Sequence, residues 1–300
     1  MDKVINLGIP HVGEPIFESI NTPKLLKFLL VSETWRILAE NVLIKRIKKF
    51  KHKTFEALLW RACDTGRKDV VQLLLDHFER IEPNARSSHG WTAFMYACDL
   101  GHKDVVQLLL NYPDKNIELS ARNDGGWTAL MWACWNGHKD VVKLLLDHSE
   151  RIDLNARRNG GWTALMMACE LGHKDVVKLL LDHSERIDLN ARDNYGDTAF
   201  TLACNNGHKD VVQFLLENSN IDLNTRENRG NTAFMITCER GHKDVVQLIL
   251  NNSGRIDLNA RQNNGWTAFV LACQKGHKDV IKLLLDHPER IEVNERDHNA

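Results

Sequence analysis

Gly126 to Arg157 reads GWTALMWACWNGHKDVVKLLLDHSERIDLNAR, and close copies of it recur from about residue 54 to the C-terminus. The tetrad Gly-x-Thr-Ala stands at Gly90, Gly126, Gly161, Gly196, Gly230 and Gly265, so successive copies start 36, 35, 35, 34 and 35 residues apart. A fixed period in this range marks stacked repeats, each a unit that cannot bury its hydrophobic face alone. Within one copy Thr128 is placed to cap a helix by accepting from a free backbone N–H, and Ala129 to Cys134 carries that helix forward. Gly137 closes it by taking the left-handed conformation. His138-Lys139-Asp140 opens a second helix, with the Asp140 charge near its positive end. Val141, Val142, Leu144, Leu145 and Leu146 leave only Lys143 polar in that run, which predicts a helix sandwiched between neighbours.

The pattern Gly-x-Thr-Ala-Leu-x-x-Ala-Cys-x-x-Gly-His-x-x-Val-Val-x-Leu-Leu-Leu followed by Asn-Ala-Arg resembles the ankyrin repeat. It departs from the family by Ala for the usual Pro after Thr, by Cys for the second Ala, and by a period about two residues longer. Ala is a good helix former and Cys behaves as a small buried hydrophobe, so the first two changes suit a packed helix. The extra length falls between Leu146 and the next tetrad, where a loop can absorb it. The resemblance implies an all-α solenoid of helix pairs with β-hairpin-like fingers, and a protein partner held on the finger tips and the concave face of the first helices. On this reading residues 51–300 form one elongated repeat domain of about seven copies, at 52–86, 87–122, 123–157, 158–192, 193–226, 227–261 and 262–296.

Composition narrows the function classes. The 300 residues are 43% hydrophobic with a net charge of −1, which argues against a nucleic-acid protein with a strongly basic face. No apolar signal core follows Met1-Asp2-Lys3, and the apolar runs fall far short of about 20 residues, so the expectation is an intracellular protein, cytoplasmic or nuclear, without a membrane span. Seven cysteines, Cys63, Cys98, Cys134, Cys169, Cys204, Cys238 and Cys273, recur once per copy. Stacked helices lie about 8–10 Å apart while a disulfide needs Cα atoms within about 7 Å, so these thiols read as reduced core residues. His102, His138, His173, His208, His242 and His277 recur in the same way. Ligands of one metal must converge within about 2 Å of it, and residues a full repeat apart do not. In the resembled family this histidine hydrogen-bonds the inter-helix turn. No phosphate loop, carboxylate pair or Ser-His-Asp order stands out, so no cofactor, metal or catalytic residue is assigned and the chain reads as non-enzymatic.

Residues 1–50 are not a repeat. The order Ile9-Pro10, Ile16-Phe17, Ile20-Asn21, Pro23, Leu25-Leu26, Val31-Ser32, Trp35-Arg36 and Leu38-Ala39 resembles an F-box over about residues 5–43. That resemblance implies a small helical module which docks a substrate receptor onto the Skp-type adaptor of a cullin ubiquitin ligase, with Pro10, Leu25, Leu26, Val31 and Trp35 as the adaptor-binding residues. The other reading is a helical cap that shields the first repeat. Lys45 to Lys53 then carries six basic residues in nine, and without them the net charge of −1 becomes −7. The run reads as a solvated helix end joining two modules, or as a nuclear-import or phosphate-binding segment.

Recognition must lie where the copies differ, because the shared positions are taken up by packing. After the tetrad glycine stand Trp91, Trp127, Trp162 and Trp266 in four copies, and Asp197 and Asn231 in the other two. Tyr96, Trp132 and Trp135 add aromatic rings on the first helices, and tryptophan is over-represented at interface hot spots. These nine residues are the expected partner-binding set, with the tryptophan ladder readable equally as framework. The expected function is a protein-binding adaptor, as substrate receptor of a cullin-type ubiquitin ligase or as a scaffold with no ubiquitin link.

Overall fold

The computed structural model describes residues 52–77, 81–112, 116–218 and 220–292. The chain divides into two compact units, Met1–Asp124 and Gly125–Ala300. Among the described residues the architecture is all-α, with helices in pairs. The first unit holds α1 (His52–Asp64) with α2 (Lys68–His77) and α3 (Ala93–Asp99) with α4 (Lys103–Leu110). The second holds five pairs: α5 (Ala129–Trp135) and α6 (Lys139–Leu146), α7 (Ala164–Glu170) and α8 (Lys174–Leu181), α9 (Ala199–Asn205) and α10 (Lys209–Glu217), α11 (Ala233–Arg240) and α12 (Lys243–Asn251), α13 (Ala268–Lys275) and α14 (Lys278–Leu285). Within the second unit first helices pack on first helices, α5 on α7 through to α13, and second helices likewise from α6 to α14. The F-box-like segment and most of the basic run lie outside the described residues.

Each first helix begins at its tetrad threonine. Thr128 Oγ1 accepts from Met131 N at 3.3 Å, and Thr92, Thr163, Thr198, Thr232 and Thr267 make the same cap. The second helix bears its apolar side inward: Val141, Val142, Leu145 and Leu146 are buried, while Lys143 is exposed and Leu144 only half-buried. It is therefore packed on one side and open on the other, a milder burial than the run of apolar letters suggested. Fingers are hairpin-like without forming strands among the described residues. Five of them close by one backbone bond, as from Arg158 N to Trp162 O at 3.0 Å, and neighbouring fingers are joined by others, as from Asn194 N to Gly160 O at 2.9 Å. Part of the extra length between helix pairs is taken up by single 3-10 turns, Ser149–Arg151 and Ser253–Arg255.

Within a unit, three kinds of polar side chain tie a repeat to the adjacent one. The histidine reaches back to the end of the preceding first helix rather than to its own turn: His173 Nε2 lies 2.9 Å from Trp135 O, His208 Nε2 2.8 Å from Glu170 O and His277 Nε2 2.8 Å from Glu239 O. A carbonyl oxygen only accepts, so Nε2 carries the proton. Asparagine reaches forward with both amide atoms; Asn155 Nδ2 donates to Arg186 O at 2.9 Å while its Oδ1 accepts from Asp188 N at 2.7 Å, and Asn190, Asn224 and Asn259 repeat the pair. The arginine of Asn-Ala-Arg donates to the next repeat's equivalent carbonyl, Arg157 to Arg192 O and Arg192 to Arg226 O.

The helix-closing glycine answers two demands at once. Gly172 has φ +73°, and a Cβ there would stand 2.5 Å from His208 Nδ1, so the left-handed turn and the incoming imidazole both require its bare Cα. Gly276 has the same φ of +73° with nothing within 4 Å of a Cβ. Both Gly172→Ala and Gly276→Ala force a left-handed alanine, at roughly 1–2 kcal/mol each. Only Gly172→Ala also displaces the ring, so denaturant unfolding should show it losing about 1–3 kcal/mol more. Equal losses for the two variants would remove the imidazole from the account of inter-repeat packing.

Six of the seven cysteines are fully buried, and Cys273 on α13 is exposed, because no described residue packs over that side of it. Burial pushes the Cys204 thiol up to about 12 and holds the other buried thiols well above their usual range. The reactive form is the thiolate, so a thiol reagent should modify Cys273 first in the native protein, and the rest only as the chain opens. Rapid native labelling of Cys134 or Cys169, read by mass spectrometry, would contradict the packing of α5 and α7. No helix among the described residues is long and apolar enough to cross a membrane.

Candidate functional site

The residue after each tetrad glycine leaves the finger just before the threonine cap, and the residue five positions later sits one turn into the first helix. These two positions meet where both are aromatic; the helix position is half-buried at Tyr96 and Trp132 and buried at Met167, Leu202, Ile236 and Leu271. In the second unit Trp127 stacks on Trp132 with ring centroids 4.0 Å apart and planes at 14°. Trp135, at the end of α5, meets Trp127 edge-on at 5.7 Å and 85°. The first unit repeats the arrangement with Trp91 on Tyr96, at 4.9 Å and 30°. In the other copies the helix position is aliphatic, Met167, Leu202, Ile236 or Leu271, so only these two copies build a stacked pair.

Arg158, three residues before Gly161, lays its guanidinium over two rings. Its Cζ is 5.1 Å from the Trp127 centroid and 5.0 Å from the Trp162 centroid, so one cation is shared between successive fingers. Nη1 donates to Asn159 O at 2.9 Å, whereas the buried Nε meets no oxygen among the described residues, as suits an N–H held against an aromatic face. Trp127, Trp132, Trp135 and Trp162 are all half-buried. The rings are locked by mutual packing and still present part of their surface.

Where Trp gives way to Asp197 and Asn231, the neighbouring residues turn acidic. Asp193, at the position equivalent to Arg158, is only 7% exposed, and its Oδ1 accepts from Tyr195 N at 2.8 Å and Asp197 N at 2.9 Å. Glu227, one copy further, accepts through Oε1 from Asn231 N at 3.0 Å and Asn231 Nδ2 at 2.8 Å. Glu170, in the place Trp135 holds on α5, accepts from Asn206 Nδ2 at 2.7 Å. Burial raises the Asp197 and Glu170 carboxyls above their ordinary range; Asp193, Glu227 and Glu170 add to the rise at Asp197, and Asp193 to that at Glu170. Hydrogen bonds from Thr201 and Asn206, and the field of His208 at Glu170, offset part of it.

Of the expected binding residues, Trp127, Trp132, Trp135 and Trp162 form one cluster, Trp91 and Tyr96 form a pair in the other unit, and Trp266 is half-buried on its own finger. Asp197 belongs to the acidic stretch. Asn231 is 8% exposed with its amide spent on Glu227 and on Gln262 Nε2 at 3.3 Å, so it acts as a strut between fingers. Pro10, Leu25, Leu26, Val31 and Trp35 lie outside the described residues. Sequence reasoning passed over Arg158, Asp193, Glu227 and Glu170. The signal was available, since the residue after Ala-Arg or Thr-Arg varies in every copy, as Ser87, Asn123, Arg158, Asp193, Glu227 and Gln262. No three His, Cys, Asp or Glu side chains among the described residues gather closely enough to hold a metal ion.

Comparison with protein families matches a model of ankyrin repeats (3 copies) over residues 19–119, 59–158, 150–227 and 219–297. The first match begins inside the segment that resembles an F-box, and no F-box-like segment is shown. Comparison with curated proteins returns no match. From Gly90 onward the threonine caps and glycine closures recur with each helix pair among the described residues, and the chain belongs to the ankyrin-repeat family.

Proposed function

We propose that this chain is a recognition subunit that grips a partner protein on the outer surface of residues 125–240 and carries it to a ubiquitin ligase through residues 5–43. Ankyrin repeats are protein-binding scaffolds. The observation that carries the first half of the proposal is the aromatic cluster Trp127, Trp132, Trp135 and Trp162 around Arg158, a rigid surface with little side-chain entropy left to lose on binding. Trp135 meets the cluster by an edge-on contact with Trp127. With six of seven thiols buried and unpaired, the chain suits a reducing, intracellular compartment.

Trp135→Ala is expected to weaken capture of the partner by at least about 2 kcal/mol while leaving the melting temperature nearly unchanged, as an interface hot spot does. A variant that melts earlier yet binds normally when folded would assign Trp135 to the framework.

The ligase half of the proposal rests on the F-box-like order of residues 5–43. Its Leu25, Leu26, Val31 and Trp35 would divide between a small core and an apolar surface offered to a Skp-type adaptor. Charged residues in place of Leu26 and Val31 should abolish adaptor capture, since burying unpaired charge costs several kcal/mol, and should leave the ankyrin partner bound. Failure of the unmutated protein to capture any such adaptor, with its N-terminal helices shown to be folded, would leave the scaffold function without a ubiquitin link.

A further inference from the structure

The finger ladder of the second unit alternates in chemistry along its length. Between Trp127 and Trp162 the chain supplies its own cation, Arg158. In the next interval, from Trp162 to Asp197, the equivalent position is a carboxylate, Asp193, and in the one after, from Asp197 to Asn231, it is Glu227. On the neighbouring first helix, Glu170 takes the place of Trp135. These four carboxylates form no ion pair among the described residues, although exposed carboxylates elsewhere on the unit do, as in Lys139 with Asp175 and Lys174 with Asp210, each at 3.3 Å. Two of the arginines beside these carboxylates are committed to backbone, Arg192 through Nε to Gly196 O at 3.2 Å and through Nη2 to Arg226 O at 2.6 Å, and Arg226 to Arg261 O, while Arg229 is exposed at the tip of the Glu227 finger.

We propose that the bound protein is recognised here by an extended basic segment, with an arginine or lysine side chain seated between Trp162 and Asn231 against Asp197 and Glu170. This inference rests on the reading of this surface as protein-binding and adds the chemistry of what it binds. The Arg158 sandwich shows on the same ladder what a guanidinium gains from the interval between two fingers. In the next intervals Trp162 offers one aromatic wall, and the fixed carboxylates offer the counter-charge for bidentate contact. Asp193 and Glu227 orient the stretch, since their inner oxygens are held by Tyr195 N, Asp197 N and Asn231. Tyr195, 69% exposed at the finger tip, flanks the entry and suits the apolar stem of an arginine or lysine. The basic occupant also relieves the mutual repulsion that the four carboxylates impose on the free protein, so binding and local stability are coupled.

The test uses the full chain and fluorescein-labelled peptides of equal length, made of alternating glycine with arginine, lysine or glutamate, titrated by anisotropy at low and at physiological salt. The arginine peptide should bind most tightly, the lysine peptide less, and the glutamate peptide not measurably. Asp197→Asn and Glu170→Gln should each weaken the arginine peptide by about tenfold. Asp210→Asn, which removes a carboxylate already paired with Lys174, should change it less than about twofold. Because Asp197→Asn and Glu170→Gln remove like charges from one stretch, their melting temperatures should hold or rise, which separates lost binding from lost folding. Equal binding of the glutamate peptide, no binding of either basic peptide, or equal losses in the 197 and 210 variants would overturn the proposal. If partner capture falls with Trp135→Ala but is untouched by Asp197→Asn, the aromatic surface stands as the binding site and the basic occupant is wrong. If the arginine peptide needs Asp197 while Trp135→Ala leaves partner capture intact, the acidic interval is the site and the aromatic cluster is framework.

Discussion

Burial of helix faces between successive repeats is what the rest of this structure depends on. A helix of seven or eight residues is too short to persist alone in water. Second helices bury up to four apolar side chains each, with two in the last, α14, and each such side chain is worth roughly 1.5–3 kcal/mol when fully buried. The exposed lysine–aspartate bridges that also cross between repeats, such as Lys139 to Asp175, contribute about 0–1 kcal/mol and cannot substitute for it. Stacking is therefore apolar in energy and polar in registry. The histidine, asparagine and arginine bridges fix which atom of one repeat meets which atom of the next, and each also satisfies a backbone group that the stack would otherwise leave unpaired.

This division explains why recognition chemistry is confined to a few positions. The glycine that closes a first helix is constrained by its left-handed backbone and, at Gly66, Gly137, Gly172, Gly207 and Gly241, by the next imidazole in the space where a side chain would begin. The threonine cap cannot vary without freeing a helix N–H. What remains free is the finger residue after each tetrad glycine, the residue after Ala-Arg, and the outer positions of the first helix. On those positions the second unit displays an aromatic stretch in which Arg158 lies between two rings, followed by an acidic stretch in which Asp193 and Glu227 hold the equivalent positions. Two chemically distinct surfaces thus arise on a single scaffold without any change in its packing.

The acidic stretch carries an energetic cost that the aromatic stretch does not. Burial and like charge both hold the Asp197 and Glu170 carboxyls above their usual range, so ionising them works against the folded state, with the loss growing as pH rises through the raised pKa values. The fold tolerates this because the buried apolar contacts beneath are far larger. Such strain on a surface is relieved by a cation from outside, and a protein-binding surface is where that relief acquires a use.

The sequence by itself determined the repeat, its period, the threonine caps, the glycine closures and the buried row of cysteines, because each follows from local backbone chemistry or from helical spacing within one copy. It also marked the residue after each tetrad glycine as the place where copies differ. It did not reveal that each histidine bonds the preceding repeat, that Asn155 and its equivalents dock with both amide atoms on the next, or that Arg158 lies between Trp127 and Trp162. Nor did it show that Asn231 is a buried strut. Each of these turns on a contact between residues about 30 to 38 positions apart. A one-dimensional period reports that such residues are equivalent, and only the three-dimensional stacking of one copy on the next decides which of their atoms touch.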